Sequence, residues 1–274
     1  MIYTWKQKGQ EVIDLQNALM RKGYALPRYG ADGDLGGETW GKVEAFAQTD
    51  QFSTSKPLPE SVTDRILAAT TPAPTFDLPA GHVRVVGDPA DVHGVRSWSA
   101  INSIVIHQTG CWMNDTPDRF KTLNAHIGLL ANHPTPIVQV QDLNAYMYHA
   151  NETNKFSVGI EINGLFPGLI KDFKAGNHTA EGPTPSQISN TRLAVQWICD
   201  EVEAKGGKIS HIIPHRCSNT SRRSDPGELA WREIGVWAQQ NLGLTDKGPG
   251  WTIGDGKPIP AEWDNRPAYA KYKY

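Results

Sequence analysis

Between Thr70 and Thr75 the chain reads Thr-Thr-Pro-Ala-Pro-Thr, and the hydrophobic rhythm differs on its two sides. Alternating prolines favour an extended, semi-rigid spacer. Before it, apolar residues recur at helical spacing, first Val12, Leu15 and Leu19, then Trp40, Val43, Phe46 and Ala47. After it, short β-branched runs alternate with one long helical stretch. A chain of 274 residues is long enough for two domains. The pattern predicts a small helical unit at 1–70, a Pro-rich linker at 71–80, an α/β domain at 81–245 and an irregular segment at 246–274.

Within the first unit, helix one should stop near Gly23-Tyr24. Asp32 to Gly36 forms a turn, Thr39 is placed to cap helix two, and a third helix is expected from Pro59 to Ala69. In the second unit, strands are expected at Ser103–Ile106, Pro136–Val140, Ser157–Ile162 and Lys208–Ile213. Thr184-Pro185-Ser186-Gln187 reads as a capping box with proline at the first helical position. The helix that follows buries Ile188, Ala194, Trp197, Ile198 and Val202 and ends at Gly206-Gly207. Strands alternating with helices imply an α/β sheet with helices packed on it.

Composition removes several functions. Twenty-seven Lys and Arg against 29 Asp and Glu give a net charge of -2, without a basic block to track phosphates, so nucleic acid is not an expected partner. Three cysteines form no Cys-x-x-Cys pair, and the odd number argues against a disulfide framework. No apolar run reaches the length of a membrane span, so no membrane insertion is expected. The opening residues, MIYTWKQKGQ, lack the apolar core of a signal peptide. Synthesis in the cytoplasm without such a signal is therefore expected.

The chemistry concentrates in His215 to Asp225, HRCSNTSRRSD. A second histidine, His107, closes the apolar run Ile104-Val105-Ile106, and Asp225 precedes a Pro-Gly turn. Two imidazoles and a carboxylate are a common ligand set for catalytic zinc, which keeps a fourth position open. With nine histidines in the chain, two at strand ends are equally compatible with ordinary hydrogen-bonded residues, and Cys217 is an alternative soft ligand. Glu161 lies in an otherwise apolar strand, facing away from Val158, Ile160 and Ile162. It is either a solvent-facing residue of an edge strand or a general base.

Two resemblances narrow these options. GQEVIDLQNALMRKGY and DGDLGGETWGKVEAFAQ resemble the three-helix peptidoglycan-binding domain family, through Gly9, Val12, Leu15, Gln16, Gly23, Tyr24, Asp32, Gly33, Gly36, Thr39, Val43 and Phe46. Leu35 and Ala47 depart from that family's usual Phe and Gln. INSIVIHQTG, YHANETNKFSVGIEING and PHRCSNTSRRSDPG, in that order, resemble the zinc-dependent N-acetylmuramoyl-L-alanine amidases. That fold is shared by phage endolysins, bacterial recycling amidases and peptidoglycan recognition proteins. The second resemblance spans roughly residues 80–240.

The amidase resemblance implies a mixed β-sheet flanked by helices. It implies Zn2+ held by His107, His215 and Asp225, with Glu161 as catalytic base and then acid. Arg223 falls where the family commonly has a lysine that steadies the oxyanion. His149, Asn163 and Arg222 are implied as substrate-binding, and His126 as structural. The expected function is hydrolysis of the amide between N-acetylmuramic acid and L-alanine, as in a phage endolysin. Alternatives are an exported antibacterial effector and a non-catalytic recognition protein. The expected partner is peptidoglycan, met by a monomer in the periplasm or cell wall after release or export.

Overall fold

In the computed structural model, residues 2–21, 24, 26, 32–48, 52–67, 82–85 and 87–274 are described. The linker expected at 71–80 lies outside them, as do Gly23 and the last two residues of the expected third helix. The chain divides into two compact units, Met1–Pro74 with Ala238–Gly243, and Thr75–Trp237 with Leu244–Tyr274.

The first unit contains α1 (Gln10–Arg21), α2 (Gly37–Ala47) and α3 (Glu60–Leu67). Their apolar stripes meet in one core of Val12, Leu15, Leu19, Leu35, Trp40, Val43, Val62 and Ile66, joined by Tyr3 and Leu58. Trp5 packs edge-on against Trp40, with ring centroids 5.2 Å apart. Gln16, fully buried on α1, ties the turn to this core. Its amide donates to Asp32 Oδ1 at 2.8 Å and to Thr39 Oγ1 at 2.9 Å, and its carbonyl accepts from the Gly33 backbone at 2.8 Å. Thr39 is therefore not the cap: α2 starts at Gly37 with Gly36 before it, and Thr39 is buried in the first turn. Its hydroxyl instead accepts from the buried amide of Gln16, which also donates to Asp32 Oδ1 and Asp34 O.

The second unit is built on a sheet of six strands. These are β1 (His82–Arg84), β3 (Ser103–Gln108), β4 (Ile127–Leu129), β5 (Ile137–Gln139), β7 (Ser157–Ile162) and β8 (His211–Pro214); β2 (Val92–Val95) and β6 (Ala145–Met147) form a separate antiparallel pair. The six-strand order is β1-β5-β4-β7-β3-β8. Only β4 and β5 pair antiparallel, so the sheet is mixed. β3 is an interior strand, with β7 on one side and the edge strand β8 on the other. Every residue of β3 is buried. That explains its β-branched run without alternation, since a parallel strand covered on both faces has no polar side to show.

Pairing is what the sequence pattern could not supply. β1, β2, β4 and β6 are three or four residues long, too short for a period to register. β8 begins at His211, later than the expected Lys208, where Ser210 N and His211 N both donate to Asn102 O at the start of the pairing with β3. The long helix, α4 (Pro185–Ala204), matches its signature. Thr184 accepts from Gln187 N and the Gln187 side chain accepts from Thr184 N. Ala194, Trp197, Ile198 and Val202 are buried, and Gly206 takes a φ of +86° just beyond the end. None of the helices among the described residues is long and apolar enough to cross a membrane.

Candidate metal centre

Sheet order brings the predicted residues together. His107 is register partner to Glu161 across β3 and β7. On the other side Ile106 pairs with Pro214, so His215 follows β8 beside His107. Side chains at the carboxyl ends of adjacent parallel strands face one crevice, the usual ligand site of such sheets. Asp225 arrives from the loop after His215, and Arg216 N–H donates to Asp225 O to close that loop at 3.1 Å.

The donor atoms converge. His107 Nδ1 and His215 Nδ1 are 2.9 Å apart, His215 Nδ1 and Asp225 Oδ2 3.0 Å, and His107 Nδ1 and Asp225 Oδ2 4.0 Å. Tetrahedral ligands about 2.0–2.2 Å from one centre stand about 3.3–3.6 Å apart, and these edges straddle that value. All three residues are buried. The carboxylate is aimed by its other oxygen, Oδ1, which accepts from Gln108 N at 2.8 Å. Gln108 also donates through its side chain to Ser224 O at 2.9 Å, so one residue of β3 holds both the ligand and its loop. Burial first, then the neighbouring histidines and Arg222, hold His107 well below the ordinary imidazole range. The ring is thus neutral, as a metal ligand must be. The donor set, its spacing and the neutral His107 ring fit zinc.

Cys217 is excluded from this set. Its thiol is fully buried elsewhere, pushed up to about 12 by that burial, and it is not among the converging donors.

Glu161 lies at the edge of the site with its side chain 16% exposed and Oε1 3.9 Å from His107 Nδ1. Its Oε2 is buried without a hydrogen-bond partner among the described residues. Burial and the Asp225 charge push its carboxyl well above the usual carboxylate range, while Arg222 pulls the other way. A carboxyl so placed accepts a proton readily at neutral pH.

The other predicted residues fall in different settings. His149 is buried, with Nδ1 3.1 Å from His107 Nε2. Asn163 is 1% exposed, and its side chain is engaged with Met113 N and Asn114 O. Arg222 and Arg223 are exposed. The Arg223 guanidinium lies 5.5 Å over the Tyr274 ring, whereas the Arg222 charge acts on both His107 and Glu161. His126 is buried with both nitrogens bonded, Nδ1 to Gly159 N and Nε2 to Ala145 O, a structural role.

Residues 97–228 match the Amidase_2 family, N-acetylmuramoyl-L-alanine amidase. The Amidase_2 region contains β3, β7 and β8, and with them all of the converging donors. Among curated proteins none matches the chain significantly. Among solved structures, the chain is similar to the N-acetylmuramoyl-L-alanine amidase LysC from Clostridium intestinale URNW, at 16% identity over 59% of this chain and 97% of that one, TM-score 0.42. It is similar to AmiD from E. coli, solved with anhydro-N-acetylmuramic acid-L-Ala-D-gamma-Glu-L-Lys, at 22% identity over 55% and 60%, TM-score 0.40. It is also similar to peptidoglycan recognition protein-LE, solved with tracheal cytotoxin, at 15% identity over 57% and 94%, TM-score 0.43.

Sequence reasoning missed four residues that shape this site. Gln108 follows a ligand directly and had no chemical signature beyond that. Arg96, Ser157 and Tyr274 act from distant positions. Arg96 donates to Leu143 O, Asn154 O and Ser157 O. The 246–274 segment, read as irregular, is packed on the 215–225 loop: Ile253 N donates to Cys217 O, Lys257 N to Arg216 O, and Tyr274 and Ser224 share a 2.6 Å hydroxyl contact.

Proposed function

We propose that the protein is a zinc-dependent peptidoglycan hydrolase that cleaves the amide between N-acetylmuramic acid and the L-alanine of the stem peptide. The observation that carries this reading is the convergence of His107, His215 and Asp225, with Glu161 beside them, inside the Amidase_2 region. An endolysin-like role at the bacterial cell wall follows, with the chain working as a monomer. The helical unit at 1–70 serves as a wall-binding domain, joined by the linker at 71–80 to a catalytic domain at 81–245. Tethering to an insoluble polymer raises the local concentration of cleavable bonds.

Zinc, when bound, supplies Lewis acidity at the scissile carbonyl and acidifies the attacking water. His107, His215 and Asp225 hold it at the carboxyl edge of the sheet. Glu161 takes the proton of the attacking water as the carbon–oxygen bond forms. It returns that proton to the alanine nitrogen as the carbon–nitrogen bond breaks. Arg222 and Arg223 are the cations available to steady charge on the carbonyl oxygen.

Digestion of purified cell wall tests this. New amino termini should be L-alanine, released in step with free lactyl carboxyl groups. A different new terminus rules the reaction out, and wall binding without new termini turns the reading to a recognition protein.

A further inference from the structure

We propose that His149 is a positioning residue that fixes the tautomer of His107, through a hydrogen-bond relay anchored on Ser157 and Thr153. The inference rests on the metal reading above, and its first test needs no metal and no turnover.

The relay can be followed proton by proton. Thr153 O is a carbonyl and only accepts. Ser157 Oγ lies 2.7 Å from it and therefore gives it its single proton. Turning that proton elsewhere would leave two oxygens facing each other at 2.7 Å with nothing between them. Ser157 Oγ must then accept from His149 Nε2, 3.2 Å away. The Ser157 carbonyl, 3.4 Å from the same nitrogen, also only accepts. A neutral His149 with its proton on Nε2 has a bare Nδ1. That atom is 3.1 Å from His107 Nε2 and accepts from it. A neutral His107 protonated on Nε2 has a bare Nδ1, and this is the nitrogen that faces His215 and Asp225.

The surroundings are shaped around this ring. A Cβ at Gly159 would come within 2.6 Å of His149 Nδ1 and 2.9 Å of its Cγ, so only glycine at 159 lets the imidazole reach His107. His149 N and Ala150 N both donate to Asn154 Oδ1, at 3.0 and 2.6 Å, which fixes the backbone from which the ring projects. Arg96 holds the carbonyls of Asn154 and Ser157 from behind. Partners of this kind orient the ligand and raise its basicity, and losing one typically weakens metal binding about 10- to 100-fold.

Two measurements test the role. In metal-free wild type carrying 15N-histidine, long-range proton–nitrogen spectra should show His107 protonated on Nε2 with Nδ1 bare. A proton on Nδ1 would overturn the proposal, whatever any variant does. The second measurement is zinc affinity of His149→Gln and His149→Phe. Gln keeps an acceptor for His107 Nε2 and should stay within a few-fold of wild type. Phe fills the space without an acceptor and should lose about 10- to 100-fold. Equal affinity in wild type and His149→Phe, or equal losses in the two variants, would reduce His149 to a packing residue and overturn the proposal. Ser157→Ala, which leaves His149 Nε2 only the longer contact to the Ser157 carbonyl, should lose affinity in the same direction as His149→Phe but by less.

Discussion

His107 and Glu161 are register partners on adjacent parallel strands, and their side chains meet with Nδ1 3.9 Å from Oε1. One strand pairing thus sets the proposed metal ligand and the proposed proton carrier side by side on a rigid edge. Glu161→Gln keeps the shape and removes the base. Wall hydrolysis should fall about 100- to 10,000-fold, with zinc content unchanged by metal analysis. A variant that keeps full activity would show that another group moves the proton.

His215→Ala removes a donor from the middle of the set, 2.9 Å from His107 Nδ1 and 3.0 Å from Asp225 Oδ2. Zinc content should drop from stoichiometric to trace, and activity with it. Zinc at a hundredfold its dissociation constant stabilises a folded protein by about 2.7 kcal/mol, so wild type should show a zinc-dependent rise in melting temperature. His215→Ala should show none, and a retained shift would place the metal elsewhere.

Much of this was legible before the structure, and the reasons are physical. β7 was readable to the residue because six positions of β-branched and small residues are long enough to show a strand. α4 was readable because its cap is a local signal. His107, His215 and Asp225, which the fold brings together, stood out because a histidine ending an apolar run and an aspartate before Pro-Gly are both local, but it was the family resemblance that grouped them as one set. What links distant parts of the chain was not. Nothing near Ser157 says that it anchors His149, and nothing near Tyr274 says that it touches Ser224. The role of Gly159 is likewise invisible without knowing which ring lies across from it.

The two arginines should separate by function. Arg223 lies over Tyr274, and Arg222 is the one whose charge acts on His107 and Glu161. Arg222→Ala should lower kcat about 100- to 1,000-fold, the usual loss for an oxyanion donor. Arg223→Ala should cost less than tenfold. Steady-state rates on a soluble muropeptide distinguish them, and the reverse ranking would give the oxyanion role to Arg223.

Tyr274 couples the 246–274 segment to the loop that carries His215 and Asp225. Its hydroxyl meets Ser224 Oγ at 2.6 Å, and its ring lies 5.1 Å from the Arg216 guanidinium, which also stacks 4.7 Å over Trp263. Arg216 in turn donates to Arg223 O, two residues before the Asp225 ligand. Tyr274→Ala should loosen that loop and weaken zinc retention about tenfold in a chelator competition, on the scale of other outer contacts. Unchanged retention would mean that Gln108 alone is enough to hold Asp225.

Acid stability should carry the mark of His126. Burial first, and then the Arg96 charge, lower its pKa from the ordinary 6.5 to about 3. The folded protein therefore keeps this ring neutral while the unfolded chain protonates it below about pH 6.5. The unfolded state binds the extra proton, so stability falls as pH drops, by about 1.4 kcal/mol per pH unit between about 6.5 and 3. Above pH 6.5 both states are neutral and the contribution is flat. His126→Asn removes the titrating group. Whatever it does to stability at pH 7.5, its urea-unfolding free energy should fall less steeply with acid than that of wild type, by about one proton's share of the slope. Parallel slopes in the two proteins would mean that His126 is already charged in the folded state, in conflict with Gly159 N–H donating to its Nδ1 at 3.0 Å.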